Sequence, residues 1–151
     1  MDAIDKRILM VLQNDAKANI KIIAEKSGLS VSPTFARIKK LEQLGYIKKY
    51  VALLDEVKIG KSIQVFCQVT LSIHSKEVID NFKKKIAKLH DVMGCYHVSG
   101  NYDFLLKIAV KDMNEYQQFA VEKLSVIEGI SNVQSTFVLE EIKNEVAHKL
   151  Q

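Results

Sequence analysis

Apolar positions recur at helical intervals through the first third of the chain and then change to strict alternation, so two kinds of structure are predicted in sequence. Ile4, Ile8, Val11 and Leu12 stand at i, i+4, i+7 and i+8 behind Asp2. This predicts an amphipathic helix capped by Asp2, with Asp5 in its favourable first turn. Asn19, followed by Ile20, Ile23 and Ala24 and then by Gly28, predicts a second helix of about two turns between an N-cap and a left-handed C-cap. Ser30 is the N-cap of a third helix. Residues placed at 100° intervals put Val31, Phe35, Ile38 and Leu41 on its inner face and Ser32, Ala36, Arg37, Lys40 and Gln43 on its outer face. Pro33 is tolerated in the first turn, where its missing N–H costs no bond.

Beyond Gly45 the period changes. Ile47 to Leu54 is β-favourable, and Leu54 to Lys61 reads as a connection. Val65, Cys67, Val69, Leu71 and Ile73 then alternate with mostly polar residues, as a half-buried strand does. A helix follows from about Ser75, with Val78, Ile79, Phe82, Ile86 and Leu89 on one face. Val92 to Ser99 and Phe104 to Val110 are two more strands, Asn114 to Ile127 a second amphipathic helix and Val133 to Leu139 a last strand. The order βαββαβ, with no glycine-rich phosphate loop between strand and helix, predicts a ferredoxin-like sandwich. The fold class is α+β: residues 1–53 form a helical unit, 54–62 a linker and 63–151 the sandwich. Apolar residues occur on both faces of the first strand (Phe66 as well as Val65 and Cys67), which predicts that a second subunit covers the sheet face left open by the helices.

Composition narrows the class. The 151 residues are 48% hydrophobic and 26% charged, with a single Pro and only two Cys, which excludes a Pro-rich linker, a disulfide framework and a four-cysteine zinc site. The longest uninterrupted apolar run is Ile8 to Leu12, too short for a membrane helix. The acidic, periodic N-terminus does not read as a signal peptide, and a cytoplasmic location is expected. Charge is unevenly spread. Residues 1–60 hold 11 Lys and Arg against 7 Asp and Glu, whereas residues 61–151 hold 11 of each. Such an asymmetry points to a polyanionic partner for the first part, although a solvated lysine-rich surface has the same composition.

A short helix, the turn Ser27-Gly28-Leu29 and a helix with a small, polar and basic outer face describe a helix-turn-helix, the alternative being a generic helical bundle. Small residues at the start of the third helix let the backbone approach a major groove, and the positive end of its dipole favours phosphate. The candidate DNA-binding residues are Ser30, Ser32, Pro33, Thr34, Arg37, Lys39, Lys40, Lys48 and Lys49. Arg37, one of only two arginines, is the candidate for bidentate pairing with guanine, and the lysines supply phosphate charge. His74, His90, His97 and His148 show no metal-ligand spacing, and no nucleophile–base arrangement stands out, so no catalytic residue is assigned.

The ordered motifs resemble the Lrp/AsnC, or feast/famine, family of regulators over nearly the whole chain. They run from Asp2-x-x-Asp5-x-x-Ile8-Leu9 through Ile23-Ala24-x-x-x-Gly28-Leu29-Ser30-x-Ser32-Pro33-x-x-x-Arg37-Ile38-Lys39-Lys40-Leu41-Glu42-x-x-Gly45-x-Ile47. Leu54-Asp55, Gly60, Val98-Ser99-Gly100-Asn101-Tyr102-Asp103 and Gly129-Ile130 continue the set. The resemblance implies a winged helix-turn-helix over residues 1–53 joined to an effector-binding and oligomerisation domain of ferredoxin-like fold over 63–151, in a sequence-specific transcriptional regulator of double-stranded DNA that needs no cofactor and answers to a small amino acid. It also implies homodimers assembling into octamers as tetramers of dimers. An effector site is implied beside Gly100, Tyr102 and Asp103 and near Gln134, Ser135 and Thr136. Asp103 would face the ammonium, and N–H groups or hydroxyls the carboxylate. The sequence departs from the family pattern at Lys17, Lys49, Asn101 and Val133. The methyl groups of Val133, where a hydroxyl is frequent, favour leucine or methionine over an amide side chain. The rival readings are a siroheme-decarboxylase-like enzyme of the same fold and an amino-acid sensor without DNA binding.

Overall fold

The structure, a computed structural model, describes residues 1–150 and divides into two compact units, one of residues 1–53 with 142–150 and one of residues 54–141. This differs from the expected division at both ends. The 54–62 stretch sits with the sheet, where Gln64 donates to Glu56 and Ser62 to the Lys111 carbonyl. The last residues return to the first unit, where Gln13 exchanges two hydrogen bonds with the His148 backbone, at 2.7 and 3.1 Å.

The first unit holds α1 (Ala3–Asn14), α2 (Ile20–Ser27) and α3 (Val31–Gln43). Asp2 caps α1 by accepting from the Ile4 and Asp5 N–H groups, and Asp5 accepts in return from the Asp2 N–H at 3.0 Å, which completes a reciprocal capping box. Asn19 caps α2 through the Lys21 N–H at 2.9 Å, and Gly28 ends it in the left-handed conformation. Arg7 donates from Nε and Nη2 to the Ser27 carbonyl, tying α1 to the last turn of α2. The three helices bury Ile8, Leu9, Ile23, Ile38 and Leu41 against one another, with Leu150 of the returning segment packed on that cluster. Each such side chain contributes about 1.5–3 kcal/mol when fully buried.

Two expectations for this unit are corrected. The inner face of α3 is Thr34, Ile38 and Leu41, and Phe35 is exposed. Thr34 can be buried because its Oγ1 donates to the Ser30 carbonyl at 2.9 Å, leaving no polar atom unpaired. The β-favourable stretch from Ile47 forms no strand: Tyr50, Val51, Leu53 and Leu54 lie exposed in irregular chain. A strand needs a neighbour to satisfy its backbone, and the described residues offer none there.

The second unit is a four-stranded antiparallel sheet in the order β2-β3-β1-β4, built from β1 (Ile63–Leu71), β2 (Val92–His97), β3 (Phe104–Val110) and β4 (Ile130–Phe137). With α4 (Lys76–Ile86) and α5 (Met113–Gln118), the order is the expected βαββαβ sandwich. The helix of α5 continues as a wider π-type turn over Phe119–Leu124. Alternation carries Val65, Cys67, Val69 and Leu71 of β1 and Phe104, Leu106, Ile108 and Val110 of β3 into one core with Phe82, Ile86, Phe119 and Leu124. The other face of the sheet carries Gln64, Phe66, Gln68, Leu105 and Lys107, which are only half-buried. β4 begins at Ile130, earlier than expected, because Gly129 (φ 92°) turns the chain there, and its carbonyl accepts from the Ser72 N–H at 2.8 Å. A Cβ on Gly129 would stand 2.6 Å from Val78 Cγ1, so both the backbone angle and the packing require glycine.

Candidate functional site

α3 presents a surface with no acidic side chain over its first turns. Ser30, Ser32, Pro33, Ala36, Lys40 and Gln43 are all exposed. The N-terminus of α3 carries no side-chain cap, because the Ser30 hydroxyl makes no bond to it. Its first N–H groups are thus open to an incoming anion. Lys40, Lys48 and Lys49 are exposed and have no ion-pair partner among the described residues. Lys39 is shared: its Nζ lies 2.9 Å from Glu42 Oε2 and 5.7 Å from the centroid of the Phe35 ring. Glu42 also accepts from the Tyr50 hydroxyl at 2.9 Å. Burial, and then that carboxylate, push the Tyr50 phenol up to about 12.

Two of the sequence-assigned DNA-binding residues are placed elsewhere. Thr34 is buried beneath the face and has no surface to offer a base. Arg37 turns toward α1, and its Nη1 bonds Asp2 Oδ2 at 2.6 Å and Asp5 Oδ1 at 2.7 Å. The Asp5 N–H first, and then Arg37, hold Asp2 down at about 2, while the two carboxylates raise the Arg37 pKa. The guanidinium expected to read guanine therefore fastens α3 to the capping box of α1. Local spacing could not reveal this, since the partners lie more than thirty residues earlier in the chain.

The second candidate site lies at one end of the sheet. The Val98 N–H donates to the Asp103 carbonyl at 2.9 Å, closing the β2–β3 hairpin around Gly100 and Tyr102. Gly100 has φ 138°, and nothing lies within 4 Å of where a Cβ would stand, so its backbone is open to approach. The Asp103 carboxylate is committed within the chain. Its Oδ2 accepts from the Leu71 N–H at 2.7 Å and its Oδ1 faces His74 Nε2 at 2.8 Å. The Leu71 N–H above all, with His74 and His97 adding to it, holds the Asp103 carboxyl below the usual range. Asp103 thus braces the hairpin, and in the ammonium role expected of it the carboxylate would serve the ligand beside Leu71 and His74.

The β4 candidates divide between the two faces. Gln134 and Thr136 are exposed beside Gln68 and Phe66 on the half-open face. Ser135, one residue out of phase, points under the helices, where it bonds the Tyr116 hydroxyl and lies 3.5 Å from Cys67 Sγ. Desolvation pushes the Tyr116 phenol up to about 12, so its hydroxyl keeps its proton within this trio. Sequence reasoning missed the trio because each residue reads as an ordinary core or strand position. A surface concavity along α5, lined by Asn114, Gln117, Gln118, Val121 and Glu122, contains none of the effector candidates. Among the described residues no group of His, Cys, Asp or Glu is placed to hold a metal ion, and no helix is long and apolar enough to cross a membrane.

Comparison with known proteins agrees with this division of the chain. Residues 1–48 match the family model for a winged helix-turn-helix DNA-binding domain, and residues 64–147 the one for the Lrp/AsnC ligand binding domain. The Bkd operon transcriptional regulator of Pseudomonas aeruginosa is 34% identical over 142 residues, spanning 94% of this chain and 93% of that protein. The leucine-responsive regulatory protein of Escherichia coli is 34% identical over 143 residues, spanning 95% of this chain and 87% of its own. A transcriptional regulator of Neisseria meningitidis, solved as its L-Met complex, superposes with a TM-score of 0.94 at 32% identity over 99% of this chain and 96% of that one. An AsnC family regulator of Agrobacterium tumefaciens gives 0.93 at 36% identity over 99% and 97%. With both parts matched in order and along nearly its full length, the chain belongs to the Lrp/AsnC family of transcriptional regulators.

Proposed function

We propose that this protein is a cytoplasmic, sequence-specific DNA-binding regulator whose assembly or DNA affinity responds to a small amino acid of the leucine or methionine type, and that it catalyses no reaction. The observation that carries the DNA half is the acid-free outer face of α3, where Ser32, Pro33, Ala36 and Lys40 are exposed at an uncapped helix N-terminus and Lys48 and Lys49 follow unpaired. Such a face brings backbone and small side chains to base edges while the lysines meet phosphate. The relatives support the effector half: one is named for its response to leucine and another was solved with L-Met. In this chain the open backbone at Gly100, with Tyr102, Gln134 and Thr136, is the surface assigned to the zwitterion.

The oligomer follows from the half-open sheet face. Phe66, Leu105 and the exposed Tyr96 lie on it, and a second copy laid there gives the homodimer from which an octamer of four dimers is built. Amino-acid control requires that the ligand favour one assembly over another, since equal affinity for both shifts nothing. The test combines selection of duplexes from a random pool by the full chain with thermal-shift and light-scattering measurements against the twenty amino acids. An enriched sequence, together with a stabilising amino acid that alters mass or DNA affinity, supports the reading. Failure to enrich any sequence refutes the DNA half, and indifference to all twenty refutes the effector half.

A further inference from the structure

Thr34 occupies the inward position of α3, which leaves Phe35 56% exposed on the flank beside Ser32 and Ala36. Val31, one turn earlier, is 40% exposed, and Lys39, one turn later, holds its ammonium 5.7 Å from the ring centroid. An apolar, aromatic and cationic strip thus runs along the helix next to its small-residue face. Arg37 meanwhile is held by Asp2 and Asp5. Its Nη1 is thereby committed to α1, and Phe35 is the aromatic group that the exposed first turns of α3 present.

We propose that Phe35 is a specificity-determining residue that reads the C5-methyl group of a thymine in the major groove, with Lys39 holding the ring on one side and meeting phosphate. The thymine methyl is the one apolar feature that base pairs display in that groove, and an aryl or methyl side chain is its partner. Arginine readout favours G·C pairs, so a helix whose arginine is tied back and whose phenylalanine is out is selective for A·T pairs at that step. The inference rests on the DNA-binding reading above and goes beyond it in naming the base feature and the residue.

The test starts from the duplex selected by the full chain. Each thymine is replaced singly by deoxyuridine, which removes the methyl group and keeps the base pairing. Binding is measured at fixed salt for wild type, Phe35→Ala and Phe35→Leu. Wild type should bind about fourfold more weakly at one thymine per half-site, the factor expected for one methyl group left unburied. Phe35→Ala should bind the original duplex more weakly and show no further weakening at that thymine, while Phe35→Leu, whose helix propensity and bulk are kept, retains part of the sensitivity. Equal sensitivity of wild type and Phe35→Ala at every thymine overturns the proposal, as does indifference of wild type to all of them. A Phe35→Ala protein with altered mass by light scattering but unaltered thymine sensitivity assigns the ring to a protein surface and also overturns it. If no duplex is enriched at all, the DNA reading itself fails, an outcome distinct from enrichment without a methyl effect.

Discussion

Replacing Thr34 by valine separates a structural role from a DNA-contacting one. The residue is completely buried on α3, and its hydroxyl bonds the Ser30 carbonyl at 2.9 Å. That carbonyl keeps a second donor, the Thr34 N–H at 3.2 Å, so valine leaves no acceptor orphaned. The loss is then an ordinary net hydrogen bond, about 0.5–1.5 kcal/mol, because valine preserves the branched shape. Alanine lacks both of valine's γ-methyl groups and should cost roughly 1.6 kcal/mol more than valine, before any cavity contribution. For a unit of this size each kcal/mol lowers the melting temperature by about 4–8 °C. Calorimetric melts of the three proteins measure this, and titration of a selected duplex well below the lowest melting temperature measures binding. The expected result is an ordered fall in melting temperature with DNA affinity held within about twofold. A Thr34→Val protein that melts like wild type but binds tenfold more weakly would refute the burial argument and return Thr34 to the DNA face.

The other predictions concern charge, backbone and pH. Lys40→Gln or Lys48→Gln should weaken binding to selected and random DNA alike and flatten the dependence of log K on log salt by about 0.9 for each phosphate no longer neutralised; an effect confined to the selected duplex contradicts the phosphate assignment. Gly129→Ala should destabilise the sheet unit by about 1–3 kcal/mol, since it forces a side chain into a positive-φ position against Val78, and a wild-type denaturation midpoint would disprove the close approach. Removing residues 142–150 takes away the Gln13–His148 pair and the packing of Leu150 and should cost the first unit about 1–3 kcal/mol, with Gln13→Ala reproducing part of it in urea melts. Because the folded-state pKa of Asp103 is lowered, its contribution is fully present above the unfolded value of about 3.9 and is lost as pH falls through the folded value. Asp103→Asn should therefore flatten the acid limb of the stability profile, and an unchanged limb would show that the carboxylate is unimportant there.

Legibility in the sequence follows the range of the interactions. Strand alternation locates β1 and β3 because each strand buries one face against helices, and the expected ends of β3 are the observed ones. Helix caps at Asp2, Asn19 and Gly28 are legible for a similar reason, since a cap and its partners lie within four residues. The inward face of α3 is misplaced by one position because hydropathy ranks Phe above Thr. The structure ranks them the other way, since a threonine that bonds its own i−4 carbonyl carries no polar penalty into the core. The stretch after Ile47 fails differently: its β preference is real, but pairing needs a second strand, and none lies beside it among the described residues.

The sites are legible as regions and not as atoms, and Arg37 and Asp103 show why. Both stand out by charge, which a sequence displays, and both are tied by partners from distant chain, which a sequence conceals. An ionised group inside a folded unit takes the nearest counter-charge or N–H available, because leaving it unpaired costs more than the pairing. Arg37 finds two carboxylates already turned out by a capping box, and Asp103 finds the Leu71 N–H at the end of β1. Each thereby braces the element beside its candidate surface. Ser135 fails through geometry: adjacent strand residues face opposite sides, so a ligand that reaches Gln134 and Thr136 cannot also reach the hydroxyl beneath the helices. Besides the exposed lysines proposed for phosphate, the groups that remain open on these surfaces are uncharged: an aromatic ring and small side chains on α3, and the backbone at Gly100.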